Sequence, residues 1–319
     1  MMQEKKPKTD FWHRQAERLW HGYHRLMRTW PIWYYVLNRS SREVWRRHQP
    51  AIGAVAHALI ARLERDGIAV VPLGELFEDP LLLSRLQAIT RERQGSAALP
   101  DAVSPRPEGE TEKDVEKRFM RYLWGGGGTY PVIDLEDPFI QFALDERTLG
   151  IIAAYLGSAP KLQGFSLQET RIVPAGSPSY LSQRWHRDPD DKKLVKAFLY
   201  LSDVLDEGAG PFMYVKYSHF GGRWRNLYPQ RPPVGRYPPS GAVEAAVSGD
   251  DIRVCLGRAG TLIFCDTSGL HRGGYSTSSR RLMFVAGFVS AASRFQANYR
   301  RPPGLALAGL SPLARHALG

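Results

Sequence analysis

Residues 260–289 read Gly260-Thr-Leu-Ile-Phe264-Cys-Asp266-Thr-Ser-Gly-Leu270-His271-Arg-Gly273-Gly-Tyr-Ser-Thr-Ser-Ser-Arg280-Arg281-Leu-Met-Phe-Val-Ala-Gly-Phe-Val289. Two apolar runs, 260–264 and 281–289, flank a segment of Gly, Asp, Ser and Thr. Runs this short, rich in β-branched and aromatic residues and bounded by turn formers, predict strands. The pattern repeats outward, at 165–173, 196–201 and 211–215. Strands spaced in this way, without helical segments between them, predict a β-sandwich or jelly roll rather than a parallel sheet.

Upstream of residue 161 the chain reads differently. Residues 51–65, 79–93 and 143–157 have helical patterning, with Gly67 just past the first and Gly157 stopping the last. Ile68-Ala-Val-Val-Pro72 predicts a short strand. Residues 94–130 read as irregular. Gly125 to Gly128 within them suggest a phosphate cradle, but no Lys-Ser/Thr follows and no strand-to-helix frame surrounds them, so a flexible loop is the reading. Residues 222–248, with Arg231-Pro-Pro233 and Pro238-Pro239, read as a long surface loop, a common form for a substrate lid. The chain therefore divides into an extension, 1–55, a main domain, 56–300, and a Pro/Gly/Ala/Leu-rich tail, 301–319, that packs along the surface or frays.

The 319 residues are 43% hydrophobic and 24% charged, with a mean hydropathy of −0.34, which excludes a disordered chain and a polytopic membrane protein. No stretch approaches the ~18 apolar residues of a membrane-spanning helix, and the first thirty residues lack the apolar core of a secretory signal. Cys255 and Cys265 are too few for a disulfide scaffold and lie in or beside apolar strands, as buried thiols do. The expected location is cytoplasmic. The net charge of +11 is uneven: residues 1–50 hold eleven Lys/Arg and four Asp/Glu, and five of the eight tryptophans. Trp12, Leu19, Tyr23 and Met27 can share a helical stripe there, with Pro31 interrupting the pattern and Pro50 closing it. Such a head suits packing against the body, peripheral contact with an anionic membrane surface, or nucleic acid, the last least favoured because the rest of the chain is near neutral.

The chemistry centres on Arg184-Trp-His186-Arg-Asp188. On a strand, residues two apart share a face, so His186 and Asp188 can take adjacent positions on one metal ion. His271, after the strand at 260–264 and a turn, is the candidate third ligand. Two imidazoles and one carboxylate form the facial set of non-haem Fe(II) oxygenases and leave three positions open. Arg281 opens an apolar strand ten residues later. A guanidinium there is costly to bury without an anion and suits a carboxylate. A 2-oxoglutarate molecule connects the two features, its 2-oxo acid end on the metal and its distal carboxylate on Arg281. Arg280 is the alternative, because a slip of one residue reverses the face. His219 reads as structural, and Trp185, opposite in phase to His186, as packing. Gln168 and Thr170 share a strand face, either lining a pocket or simply half-exposed.

As an ordered set, His186-Arg-Asp188, Lys196-Ala-Phe-Leu-Tyr-Leu-Ser-Asp-Val204, Gly210-Pro-Phe-Met-Tyr-Val215 with Ser218-His219, Gly260-Thr-Leu-Ile-Phe264, His271-Arg-Gly273 and Arg281 resemble the phytanoyl-CoA dioxygenase superfamily of Fe(II)/2-oxoglutarate oxygenases. Arg65-Asp-Gly67-Ile-Ala-Val-Val-Pro72 and residues 133–157 are similar to its opening strand and pre-core helix, so the resemblance spans roughly 60–295. It implies a mainly β protein with flanking helices around a double-stranded β-helix, a cupin-like jelly roll. It implies Fe(II) on His186, Asp188 and His271, 2-oxoglutarate on Arg281 with Tyr200 packed beside it, and O₂ as co-reactant, with decarboxylation to succinate. Asp188 sets it apart from related halogenases, which lack this carboxylate, so hydroxylation or another oxidative step is expected. Lys216-Tyr217 stands where the family has Pro-Gly, and residues 1–55 have no counterpart. The implied substrate is a small molecule, either a soluble metabolite or a lipid-linked or saccharide acceptor. Arg223, Arg225, Arg231 and Arg236 in the lid segment suggest that it is anionic. The competing classes are a non-catalytic jelly-roll binding or scaffold protein and an oxygenase acting on a macromolecule.

Overall fold

The structure, a computed structural model, describes residues 29–95, 119–229 and 237–319, with Gly22 and Leu26. The stripe of Trp12, Leu19, Tyr23 and Met27 lies outside the described residues, as do Arg231 and Arg236.

The strands run β1 (Ile68–Pro72), β2 (Met120–Gly125), β3 (Lys161–Thr170), β4 (Leu194–Tyr200), β5 (Phe212–Val215), β6 (Ile252–Cys255), β7 (Thr261–Cys265), β8 (His271–Gly273) and β9 (Leu282–Val289). They form a six-stranded sheet, β1-β7-β4-β9-β3-β2, and a three-stranded sheet, β6-β5-β8. All pairs are antiparallel. From β4 onward the chain alternates between sheets, β4 in the large, β5 and β6 in the small, then β7 large, β8 small and β9 large. This is the jelly-roll, double-stranded β-helix path that the sequence predicts.

Side-chain alternation assigns two cores. Ala197 and Leu199 of β4, Leu262 and Phe264 of β7, and Phe284, Ala286 and Phe288 of β9 face the helices. There they meet Leu59 and Leu63 of α1 (Ala54–Asp66), Leu86 of α2 (Leu82–Gln94), Phe139 and Ile140 of α3 (Pro138–Leu144), and Ile151 and Ile152 of α4 (Glu146–Leu156). The intervening residues Phe198, Tyr200, Ile263, Cys265, Met283 and Val285 face the small sheet and pack on Phe212, Tyr214 and Cys255. Both cysteines are buried free thiols.

Boundaries follow local chemistry. Gly67 and Gly157 take left-handed conformations, φ +79° and +70°, as the helix-stopping reading requires. The helix expected over 143–157 is present but starts at Glu146, where Asp145 caps it by accepting from the Arg147 amide, and residues 143–144 end the helix before it. Tyr217 also has a positive φ, +62°, at the position where the resembled family has Gly. Its amide donates to the Asp66 carbonyl and its ring lies under Arg223, which hold this less favourable conformation.

Two expectations need correction. Residues 94–130 are not wholly irregular, since β2 pairs with β3. Its half-exposed edge residues show little alternation, and β3 supplies the pairing. The glycines after it close a turn in which the Thr129 amide donates to the Gly126 carbonyl. Residues 222–248 are not simply a surface loop: α5 (Ala242–Ala246) lies there, and Val243 and Val247 gather with Trp224, Leu227 and Tyr228 on Trp185. Strands β6 and β8, four and three residues long, also escape the sequence pattern.

The tail does pack. Helix α6 (Pro312–Leu318) buries Leu313, Ala314, Ala317 and Leu318 in the helix-side core. The described part of the extension packs as well. Trp33, in the helical turn Ile32–Leu37, is buried, and its Nε1 donates to Asp191 Oδ1 at 2.6 Å. Trp30 stacks on Phe220 at 5.4 Å. Among the described residues no helix is long and apolar enough to cross a membrane.

Candidate metal centre

The segment carrying His186 and Asp188 lies against the turn that leads into β8. The amide of each histidine donates to the other's carbonyl, both at 3.0 Å, and the Asp188 amide donates to Thr267 O at 2.9 Å. This ladder brings together the three side chains that the sequence singles out. One ligand atom from each of His186, Asp188 and His271 lies within 4.8 Å of the other two.

The imidazoles are oriented. His186 Nδ1 contacts the Arg184 carbonyl at 2.8 Å, and His271 Nδ1 the Gly269 carbonyl at 3.0 Å. A carbonyl oxygen only accepts, so each Nδ1 carries the proton and each Nε2 keeps its lone pair. The two Nε2 atoms sit 3.9 and 3.7 Å from the Asp188 oxygens. Fixing the outer nitrogen in this way is how metal-binding histidines are held.

The protonation states suit a cation. Burial pushes the His271 imidazole down to about 3, with His186 adding to the effect, and burial lowers His186 too. Burial opposes ionisation of Asp188, but the Lys196 ammonium and the two imidazoles outweigh it and hold the carboxyl well below the usual range. Two neutral nitrogen donors and one carboxylate therefore face a common point. Such a set fits a divalent first-row metal ion, with one face of an octahedron left open.

Arg281 is 2% exposed. Its Nη1 donates to the Gly210 carbonyl, its Nε has no partner, and among the described residues no carboxylate pairs with it. A side chain added at Gly273 would meet Arg281 Nη2 at 3.7 Å. The guanidinium thus lies over Gly273, on the face of β8 that also carries His271, about 7 Å along the strand. Arg280 instead has an Nη1 3.6 Å from Glu169 Oε1. Tyr200 is fully buried between the sheets, and its hydroxyl is already used: it donates to Cys255 O at 2.9 Å and accepts from the Phe212 amide at 3.0 Å.

Other candidates lie elsewhere. His219 stands apart from the three ligands, with Nε2 on the Glu64 carbonyl. Trp185 packs in the cluster under 222–248, and its Nε1 donates to Glu244. Thr170 Oγ1 accepts from the Arg281 amide at 2.9 Å, and Gln168 Nε2 donates to Ser166 Oγ. Arg223 pairs with Asp251 at 2.6 Å, so that guanidinium already has its anion.

Two site residues escape the sequence reading. Lys196 Nζ lies 2.7 Å from Asp188 Oδ2. The signal was available, since Lys196 is the lone charge in Leu-Val-Lys-Ala-Phe-Leu-Tyr, as Arg281 is at the head of its own strand. Arg187, between the two ligands, is 4% exposed and donates to the carbonyls of Ser218, Trp224, Leu227, Tyr228 and Ser268. It ties the 218–228 segment to the ligand strand, and no local pattern announces that.

No family model matches the chain, and no curated protein matches it. Solved structures do. The chain is similar to the epimerase SnoN in complex with Fe³⁺, alpha ketoglutarate and nogalamycin RO, at 18% identity over 79% of this chain and 92% of that one, with a TM-score of 0.48. It is similar to EctD from S. alaskensis in its apoform, at 15% identity over 80% and 85%, TM-score 0.48. It is also similar to HygX from Streptomyces hygroscopicus with nickel, 2-oxoglutarate and hygromycin B bound, at 16% identity over 76% and 89%, TM-score 0.44.

Proposed function

We propose that the chain is an Fe(II)/2-oxoglutarate-dependent oxygenase that hydroxylates a small molecule. The observation that carries this reading is the convergence of two Nε2 lone pairs and one carboxylate from two backbone-paired segments. His186, Asp188 and His271 would hold the iron. When bound, the iron and 2-oxoglutarate supply the activation of O₂ that side chains alone cannot perform. The protein supplies the geometry. Arg281, buried without a carboxylate, takes the distal carboxylate of the cosubstrate, and Arg280, beside Glu169, does not. The ring of Tyr200 belongs to the wall near Arg281, its hydroxyl spent on the backbone.

The ligands are recessed, with His271 4% and Asp188 8% exposed. The reacting part of the substrate must therefore be slender enough to enter between the sheets, which supports a small molecule over a folded macromolecule. The rim at His186 carries Tyr237, 6.0 Å away between ring centroids, with the Arg184 guanidinium over its face. An aromatic and a cation there support a substrate with a planar or anionic part. The described part of the 1–55 extension then braces the body through Trp33. The exposed Tyr35 and Val36 beside Arg39 support peripheral contact with an anionic surface, which sedimentation of the whole chain with anionic vesicles tests.

Anaerobic addition of Fe(II) and 2-oxoglutarate to the apo-protein tests the main reading. The expected result is a visible charge-transfer band in wild type that is absent in His186→Ala. A folded wild type without the band overturns it and favours the binding scaffold.

A further inference from the structure

The inner face of β4 carries Lys196, Phe198 and Tyr200 in turn, and only the first is charged. Its register partner on β9 is Gly287. The lysine stem lies over it, its Cγ at 3.8 Å from the place a Cβ would take, an ordinary van der Waals distance. The ammonium reaches Asp188 Oδ2 at 2.7 Å. The other ionic group in its electrostatic reach is Asp190, whose Oδ1 accepts from Gln163 Nε2 at 2.8 Å. A three-ligand metal site does not by itself require a lysine, and a side chain only 25% exposed, on the sheet face of Phe198 and Tyr200, is costly to charge unless a partner matches it.

The charge count gives the reason. Two neutral imidazoles and a carboxylate carry one negative charge, and the ammonium brings the four side chains together to zero. The ammonium also engages one oxygen of the carboxylate, leaving Oδ1 as the oxygen free to bind. A carboxylate that meets a metal through both oxygens occupies two positions, and through one oxygen it occupies one. We propose that Lys196 is a positioning residue of the metal centre: it keeps Asp188 a one-oxygen ligand, which preserves an open position, and it compensates the carboxylate charge before the metal enters. This inference rests on the three-ligand metal centre proposed above.

The test is a Co(II) titration of the full-length apo-protein, read by equilibrium binding and by the visible d–d spectrum, in wild type, Lys196→Gln and Lys196→Arg. Glutamine keeps a hydrogen-bond donor and removes the charge. Losing an outer hydrogen bond alone weakens metal binding about 10- to 100-fold. Losing a cation beside a divalent ion acts the other way; the shorter, neutral glutamine removes the charge, and Lys196→Arg restores the charge and controls for the lost contact. The expected result is about ten-fold tighter Co(II) binding in Lys196→Gln, together with a weaker d–d band as the second oxygen raises the coordination number. Lys196→Arg should keep the wild-type spectrum and affinity. A Lys196→Gln variant with wild-type affinity and spectrum overturns the proposal, as does weaker binding that Arg fails to rescue. A wild type that takes up no Co(II) overturns the metal centre itself, and the lysine role with it, so the two failures are distinct. If the Gln variant does not fold, the carboxylate infrared bands of Co(II)-loaded wild type decide the matter. A wide splitting, that of one-oxygen binding, supports the proposal, and a narrow one overturns it.

Discussion

His186 and His271 hold each other in register through the backbone, the amide of each donating to the carbonyl of the other at 3.0 Å. The two imidazoles of the candidate metal centre are thus placed by main-chain bonds that survive loss of either ring. His186→Ala and His271→Ala are therefore expected to keep the fold while losing stable metal binding. Metal analysis after dialysis, beside circular dichroism, checks this. Metal retained at wild-type stoichiometry in both variants would refute the assignment.

Arg281 and Arg280 should separate cleanly. Truncating a buried, desolvated partner of a carboxylate costs about 2–5 kcal/mol, so Arg281→Met is expected to weaken 2-oxoglutarate binding by about 100-fold or more. Arg280, which already has Glu169, should change it little. Titrating the iron-loaded variants with 2-oxoglutarate gives the comparison, and a larger effect at Arg280 would reverse the assignment.

Acid should unfold the apo-protein earlier than ordinary carboxylate titration predicts. His271 is pushed down to about 3 by burial, against about 6.5 in the unfolded chain. Between those values the unfolded chain binds the proton and the native one does not, so stability falls as pH drops from about 6.5 toward 3. The lowered His186 and Asp188 act in the same direction, Asp188 below the usual carboxylate range. The slope is at most about 1.4 kcal/mol per pH unit for each proton that differs. Urea midpoints from pH 7 to 4 should show the fall, and His271→Gln should flatten it. Equal slopes in the two proteins would contradict the buried, neutral imidazole.

The described part of the extension reaches the segment beyond Asp188 through Trp33. Asp191, three residues past Asp188, accepts from Trp33 Nε1 at 2.6 Å and from the Lys192 and Ser290 amides. Trp33→Phe keeps an aromatic ring and removes the donor, leaving a buried carboxylate short of a partner. A loss of about 1–3 kcal/mol is expected, with faster hydrogen exchange across 189–193. Unchanged stability and exchange would show that the extension merely covers the body.

The sequence by itself determined the parts that depend on local chemistry. Short apolar runs between turn formers specified β4, β5, β7 and β9, because a strand buried on both faces has to be apolar. Gly67 and Gly157 marked helix ends, because only glycine adopts a positive φ without strain. His186 and Asp188, two apart, were legible as neighbours on one face, and a lone arginine at the head of an apolar strand was legible as a charge in need of an anion. What depends on partners distant in the chain was decided by the tertiary structure alone. The eighty-four residues between His186 and His271 close into a site only because the two segments pair across the sheets. Lys196 acquires its meaning from Asp188, Trp33 from Asp191, and Arg187 from five carbonyls of the 218–268 region. Local propensity reads one segment at a time. The pairing of a buried charge or a short strand is fixed by whichever segment the fold brings opposite it.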